Sequence, residues 1–281
     1  MELKELGKTG VMVPEIGLGT WDYSGGTEPL RRGVELGAFF IDTAENYLNE
    51  DAVGQAIRGI RDQVFIATKV SYDHLSYDSV MRAAETSLEK LGVDKIDLYQ
   101  IHFPNPAIPI TETMRAMESL VDSGQVSYIG VSNFSAEELC EAQAVMNNNP
   151  IVSNQVLYNL RRREIERDLL PYCQENGVTV IAYTPLDNGS LATTRRSQRN
   201  GGLRELSQIG SEIYRTPAQV ALNWCVSRPG VVTIPKSDSV ARTEENCAAS
   251  GWRLSEKHIQ ALERTFASAR SRGGSSSHGA A

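Results

Sequence analysis

Residues 37–51, "GAFFIDTAENYLNED", carry the apolar run Ala38-Phe39-Phe40-Ile41 straight into Asp42, with no polar position in between. A continuous apolar run of this kind marks a strand buried on both faces, which is the condition of a parallel sheet. On this stretch alone, Asp42 with Glu45 three residues later fits a capping box, in which the aspartate accepts from early helix N–H groups and the glutamate reaches back. A strand that ends on a carboxylate can also deliver that carboxylate to a site, and the rest of the chain decides between the two.

The pattern recurs. "EIGLGTW" at 15–21, "VFIATKV" at 64–70, "KIDLYQIH" at 95–102, "YIGVSN" at 128–133, "IVSNQV" at 151–156, "VTVIAYTPL" at 178–186 and "VVTIPKS" at 231–237 are short, β-branched and apolar. With residues 38–42 they make eight candidate strands. Helical patterns lie between them: in "SYDSVMRAAETSLEKLGV" the residues Val80, Ala83, Ala84, Ser87, Leu88 and Leu91 recur at helical spacing and Gly92 supplies the stop. Ser135 with Glu138 forms a second capping box. Strand and helix alternating eight times predict an α/β fold of the (β/α)8 TIM-barrel type. The opening "LKELGKTGVMVPEIG" alternates and turns at Gly7-Lys8-Thr9-Gly10, which predicts an N-terminal β-hairpin against the barrel bottom. A doubly wound sheet is the alternative, disfavoured because no G-x-G-x-x-G follows an early strand.

Composition narrows the function. A net charge of −7 argues against a general binder of nucleic acid or anionic membrane, and no apolar run reaches the roughly 18 to 20 residues of a membrane span. The polar start Met1-Glu2-Leu3-Lys4-Glu5 is unlike a secretory signal, so a cytoplasmic protein is expected. Cys140, Cys173, Cys225 and Cys247 are widely spaced, with no C-x-x-C pair, and read as small hydrophobes in a reducing compartment; no metal is expected. A barrel domain is expected over residues 1–268 and a flexible tail over 269–281, whose "SSSHGAA" ending has no apolar periodicity.

In a barrel of this type the C-terminal strand ends meet at one face, where chemistry is sought. The second strand ends at Asp42, the third at Lys69 and the fourth at His102, with Tyr47 five residues past Asp42. Singly, each has an ordinary structural reading. Together they bring an acid, an amine, an imidazole and a phenol to the mouth of three consecutive strands.

The ordered motifs "GAFFIDTAENYLNED", "IATKV", "DLYQIH", "GVSNF", "NQVLYN", "AYTPL" and "IPKS…ARTEEN" resemble those of the aldo-keto reductases, over essentially residues 1–268. The resemblance, to members such as aldose reductase and diketogluconate reductase, implies a (β/α)8 barrel that binds NADP(H) without a Rossmann domain. It implies the catalytic tetrad Asp42, Tyr47, Lys69 and His102 and the reduction of aldehydes, ketones or sugar carbonyls to alcohols. It implies that Ser132, Asn133 and Gln155 hold the nicotinamide carboxamide and that Tyr183 stacks beneath the ring. Lys236, Ser237 and Arg242 would meet the adenosine 2′-phosphate, and Glu245 and Asn246 the adenine. Further cofactor contacts are implied for Thr20, Trp21, Asp42, Thr184, Pro185, Leu186 and Ile234, and a substrate pocket for Trp21, Tyr47, His102 and Phe103. The same fold serves nucleotide-sensing regulatory subunits similar to the potassium-channel β subunits, which is the alternative function.

The residue chemistry agrees with that implication. A tyrosine of ordinary pKa, about 10, is a poor proton switch near neutrality. Lys69 is expected to lower it by stabilising the phenolate, and Asp42 to keep Lys69 charged. His102 is expected to hydrogen-bond the carbonyl oxygen. Two residues depart from the family pattern: Phe103 stands where Trp is frequent, and Leu157 where "NQVEYN" has Glu. Few residues follow "SEKHIQALERTFAS", which predicts an open pocket, and a monomer acting on a small-molecule carbonyl or alcohol is expected.

Overall fold

The strand pattern closes on itself in the computed structural model, which describes residues 1–193 and 201–273, with side chains to residue 267. The strands are β1 (Leu3–Glu5), β2 (Met12–Pro14), β3 (Leu18–Gly19), β4 (Phe40–Asp42), β5 (Phe65–Val70), β6 (Ile96–Ile101), β7 (Val126–Ser132), β8 (Ile151–Leu157), β9 (Thr179–Tyr183) and β10 (Val231–Thr233). The helices are α1 (Glu28–Glu35), α2 (Glu50–Ile57), α3 (Tyr77–Leu91), α4 (Ile110–Asp122), α5 (Ala136–Ala144), α6 (Leu169–Asn176), α7 (Gly201–Glu212), α8 (Pro217–Val226), α9 (Val240–Cys247) and α10 (Glu256–Gly273). Strands β3 to β10 form one parallel sheet in sequence order. The first and last strands meet through parallel bridges at Ile16–Thr233 and Gly19–Lys236, sealed by Gly17 N–H to Thr233 O at 2.7 Å and Gly19 N–H to Pro235 O at 3.2 Å. The eight-strand reading therefore describes a closed barrel. Gly19 is required at that seam: a Cβ there would stand 2.5 Å from the Ile234 carbonyl oxygen, well inside contact distance.

Local signals behave as read. Gly92 ends α3 in the left-handed region at φ 64°, and the Ser135–Glu138 capping box opens α5 with both reciprocal bonds made. Helix α10 continues to Gly273, into the stretch read as a tail, and residues 274–281 lie outside the described residues.

Side chains alternate across a strand, so Phe40 and Asp42 share the barrel interior, as do Phe65, Ala67 and Lys69 on β5 and Leu98 and Gln100 on β6. The interior is thereby graded. Its lower part is apolar, with Phe40, Phe65, Ala67, Leu98, Val152, Ile181 and Val232 in one cluster, and Phe40 and Phe65 meet edge to face at 5.6 Å. The hairpin of β1 and β2 closes that end by placing Leu6 and Val13, both without exposed surface, in the same cluster. The outward residues of the strands, such as Ile41, Ile66, Val70, Tyr99 and Ile101, form the larger core under the helices. With water excluded below and around, the polar residues on the inward faces of β4, β5, β6 and β8 crowd at the upper end.

Truncating the plug isolates its contribution. Leu6→Ala is expected to cost about 2–5 kcal/mol of unfolding free energy, because the barrel wall cannot collapse into the space left. Urea unfolding measures it; a loss below about 0.5 kcal/mol would mean that the hairpin only lies on the surface.

Candidate active site

Lys69 is the centre of the upper layer. It has no exposed surface, and its three ammonium protons are all used: Nζ donates to Asp42 Oδ1 at 2.6 Å, to the Thr43 carbonyl at 2.8 Å and to the Tyr47 hydroxyl at 3.3 Å. Burial, the strongest influence on Lys69, works to strip its proton; Asp42 and Tyr47 override it, and the lysine pKa lies above its ordinary value. The ammonium is kept. Because the Tyr47 oxygen accepts from Lys69, its own O–H is left to donate into the cleft that Tyr47 lines.

Two expectations need correction. The Asp42–Glu45 capping box does not form: the short 3-10 turn Glu45–Tyr47 starts after Ala44 with no side-chain cap. Asp42 Oδ2 instead accepts from Gln155 Nε2 at 2.7 Å and from Gln100 Nε2 at 3.2 Å, and Glu45 points to another loop. The pull of the ion pair and two buried amides exceeds that of a turn's free N–H groups. The Tyr47 pKa is raised, not lowered: burial dominates, and the charge of Lys69 offsets it only in part while Asp42 adds to it. The phenol therefore holds its proton through neutral pH.

His102 follows β6 directly, with its N–H bonded to Val70 O at 3.1 Å and its carbonyl accepting from Asn133 Nδ2 at 3.0 Å. Its ring lies edge-on to Tyr47 at 5.6 Å and stacks on Phe103 at 5.1 Å. Burial, helped by Lys69, pulls its pKa down to about 4, so the ring is neutral over the working range. Nδ1 is buried without a partner, which favours placing the single ring proton on Nε2, the nitrogen able to donate toward the cleft.

These groups open into one cleft of about 1010 Å³, at the upper end of the roughly 300–1,000 Å³ usual for ligand pockets. Its lining brings together Thr20, Trp21, Asp42, Tyr47, His102, Phe103, Ser132, Asn133, Gln155, Tyr183, Thr184, Pro185, Leu186, Ile234, Lys236, Arg242, Glu245 and Asn246. Ser237 does not line it; its hydroxyl bonds Ser239. Lys236 is already paired with Asp238, which also accepts from Ser24 N–H. Ser132 Oγ donates to Gln155 O at 2.9 Å, and the Tyr183 hydroxyl donates to Asn133 Oδ1 at 3.0 Å, so the carboxamide residues predicted from sequence form one hydrogen-bonded set. Asp22, Asn133, Thr184 and Asn188 all line the cleft with positive φ, a concentration of backbone strain that is common at functional sites. Trp21, 60% exposed, and Phe103, 44% exposed, line the cleft where it meets solvent.

Sequence reasoning missed two supports. Gln100 is fully buried on β6, and its alternation with Leu98 was the available signal. Asn49 Nδ2 donates to Thr20 O while its Oδ1 accepts from Thr43, tying the first and second barrel loops together; no local pattern marks that role.

A barrel with this constellation at its C-terminal rim belongs to the Aldo/keto reductase family, whose profile matches residues 15–266; the chain is an NADP-dependent oxidoreductase of that family. It is 36% identical to the methylglyoxal reductase YeaE of Escherichia coli strain K12, over 91% of this chain and 92% of that protein. It is 35% identical to a glyoxal reductase of Bacillus subtilis strain 168, over 90% and 89%. Among solved structures, an aldo/keto reductase from Klebsiella pneumoniae in complex with NADP and acetate superposes with a TM-score of 0.84 at 36% identity, covering 93% of this chain and 94% of that one. A thermostable aldo-keto reductase bound to epalrestat gives 0.86 at 40%, covering 94% and 100%. Among the described residues no helix is long and apolar enough to cross a membrane.

The depressed His102 pKa has a consequence for stability. The unfolded chain takes up a proton on this ring near pH 6.5, and the folded protein does so only near pH 4. Stability is thus lost as pH falls through that window. Denaturant unfolding at pH 7.5 and 4.5 is expected to show a smaller loss in His102→Gln than in the parent.

Proposed function

We propose that this chain reduces aldehydes, ketones or sugar carbonyls to alcohols with NADPH, Tyr47 acting as the general acid and Lys69, Asp42 and His102 supporting it. What carries the reading is the three-way contact of Lys69 Nζ, which leaves the Tyr47 O–H as the proton directed at the cleft. The cleft has the volume to take a dinucleotide, and its lining includes the phenol and imidazole together with the cations Lys236 and Arg242. When bound, the reduced nicotinamide supplies the hydride to the carbonyl carbon. Ser132, Asn133 and Gln155 would hold its carboxamide, and Tyr183 would support the ring.

His102, neutral, donates to the carbonyl oxygen and orients it. Tyr47 then delivers its proton to that oxygen as negative charge develops there. The phenolate left behind faces Lys69, whose charge Asp42 maintains, so the step ends on an ion pair and not on an isolated anion. Oxidation of an alcohol would need the phenolate first, a form that the burial of Tyr47 disfavours. The names of the relatives, methylglyoxal and glyoxal reductases, make small 2-oxoaldehydes the first substrates to assay.

Tyr47→Phe is expected to lower kcat for methylglyoxal reduction by about 10²- to 10⁴-fold while NADPH binding, followed by fluorescence, stays nearly unchanged. Parent-like turnover would assign the acid elsewhere. Lys236 is engaged by Asp238, so Arg242 carries the larger share of contact with the 2′-phosphate. A bond to a charged group is worth about 1.5–3 kcal/mol, so Arg242→Ala is expected to raise KM for NADPH about 10- to 100-fold and leave that for NADH almost unmoved. Equal losses with both cofactors would place the phosphate away from Arg242.

A further inference from the structure

Glu45, read from sequence as a helix cap, is used otherwise. It opens the 3-10 turn Glu45–Tyr47 that carries the catalytic phenol, a turn closed by Tyr47 N–H to Ala44 O at 3.0 Å and ended by Leu48 in the left-handed region at φ 54°. Its carboxylate leaves the turn altogether. Oε2 accepts from Ser71 N–H at 2.8 Å, and Oε1 meets His74 Nδ1 at 2.6 Å. Ser71 lies two residues beyond Lys69, just past the end of β5. The links Lys69–Val70–Ser71, Ser71 to Glu45, Glu45–Asn46–Tyr47 and Tyr47 back to Lys69 thus form a closed ring of backbone and hydrogen bonds.

One contact in that ring is marginal. Lys69 Nζ reaches the Tyr47 hydroxyl at 3.3 Å, the long end of the hydrogen-bonding range, whereas its bonds to Asp42 and Thr43 are 2.6 and 2.8 Å. Lys69 itself is held by β5 and its ion pair. The position of the turn therefore sets the Tyr47–Lys69 distance, and a displacement of a few tenths of an ångström breaks that bond.

We propose that Glu45 is a positioning residue, which clamps the Tyr47 turn to the loop after β5 and so holds the phenol within reach of the Lys69 ammonium. This rests on the assignment of Tyr47 as general acid. Glutamate suits the task because one carboxylate offers two acceptors, one for a backbone N–H and one for the His74 ring. Glutamine keeps an acceptor for Ser71 and a donor for His74; alanine keeps neither. Glu45 does not line the cofactor cleft, so it is expected to act on proton delivery without touching cofactor affinity.

The test compares Glu45→Ala, Glu45→Gln and Ser71→Pro in the full chain. Ser71 has φ −61° and ψ 148°, dihedrals open to proline, so Ser71→Pro removes the N–H donor, and with it the long 3.4 Å cap from Asp73 N–H to Ser71 Oγ, while leaving Glu45 in place. With methylglyoxal and saturating NADPH, Glu45→Ala is expected to lose about 10- to 100-fold in kcat, the scale of a small misplacement of a reacting group. Its NADPH Kd should stay within about twofold of the parent. Glu45→Gln should recover most of the lost kcat, and Ser71→Pro should lose about 3- to 10-fold. A second readout needs no turnover: in cofactor-free protein labelled with ¹³C-tyrosine, the Tyr47 Cζ resonance, assigned with Tyr47→Phe, should move in Glu45→Ala and return in Glu45→Gln. An unmoved Tyr47 resonance in Glu45→Ala overturns the proposal whatever the activity. So does parent-like kcat in Ser71→Pro, or a loss of kcat and NADPH affinity in equal measure. Should Glu45→Ala fail to fold, Ser71→Pro decides by the same two readouts. A parent protein that reduces no carbonyl would defeat the functional reading instead, and the resonance would still judge the clamp.

Discussion

A lysine with no exposed surface, held charged inside a barrel, is the constraint on which the upper half of this structure depends. Desolvating an ammonium costs several kcal/mol, and leaving it unpaired would cost it the proton. Asp42 opposite it, the Thr43 carbonyl beside it and the Tyr47 oxygen above it satisfy it completely. Asp42 in turn is buried and must be satisfied on its other oxygen, which Gln155 and Gln100 do. A single buried charge thereby recruits side chains or backbone from β4, β5, β6 and β8 and from the turn after β4. That demand stiffens the rim of the barrel beside the cleft.

The barrel makes this demand affordable. Alternation along each parallel strand puts hydrophobes and then polar groups on the same inward face, and the hairpin seals the apolar end with Leu6 and Val13. In such a medium each hydrogen bond of the polar layer is stronger than it would be in solvent, and each one missing costs more. The same burial lifts the Tyr47 pKa and drops that of His102, which leaves two neutral donors facing the cleft beside a charged, buried pair.

The charged residues after β10 follow other rules. Lys236, Asp238 and Arg242 lie near solvent, and Lys236 is paired with Asp238. The pocket lining is apolar and exposed at Trp21 and Phe103. Buried, fully bonded groups and exposed, loosely held ones thus line one cavity.

Much of this was legible from the chain alone. Eight apolar runs, the helices between them, the caps at Gly92 and Ser135, and the arrival of Asp42, Lys69 and His102 at strand ends are local properties, set by period and turn chemistry, and the order of the motifs placed the chain among the aldo-keto reductases. The pairing of Asp42 with Lys69, 27 residues away, is the one read from the motifs; the cap with Glu45 fails because the second oxygen of Asp42 is taken by Gln155, 113 residues away, which no local pattern announces. Local reading went wrong on Tyr47 because the balance between burial and a neighbouring charge is a property of the assembled cavity. Asn49 and the reach of Glu45 to Ser71 were invisible for the same reason. Period and turn chemistry act between neighbours in sequence and can be read there; charge satisfaction and desolvation act between neighbours in space, and only closure of the barrel decides who those are.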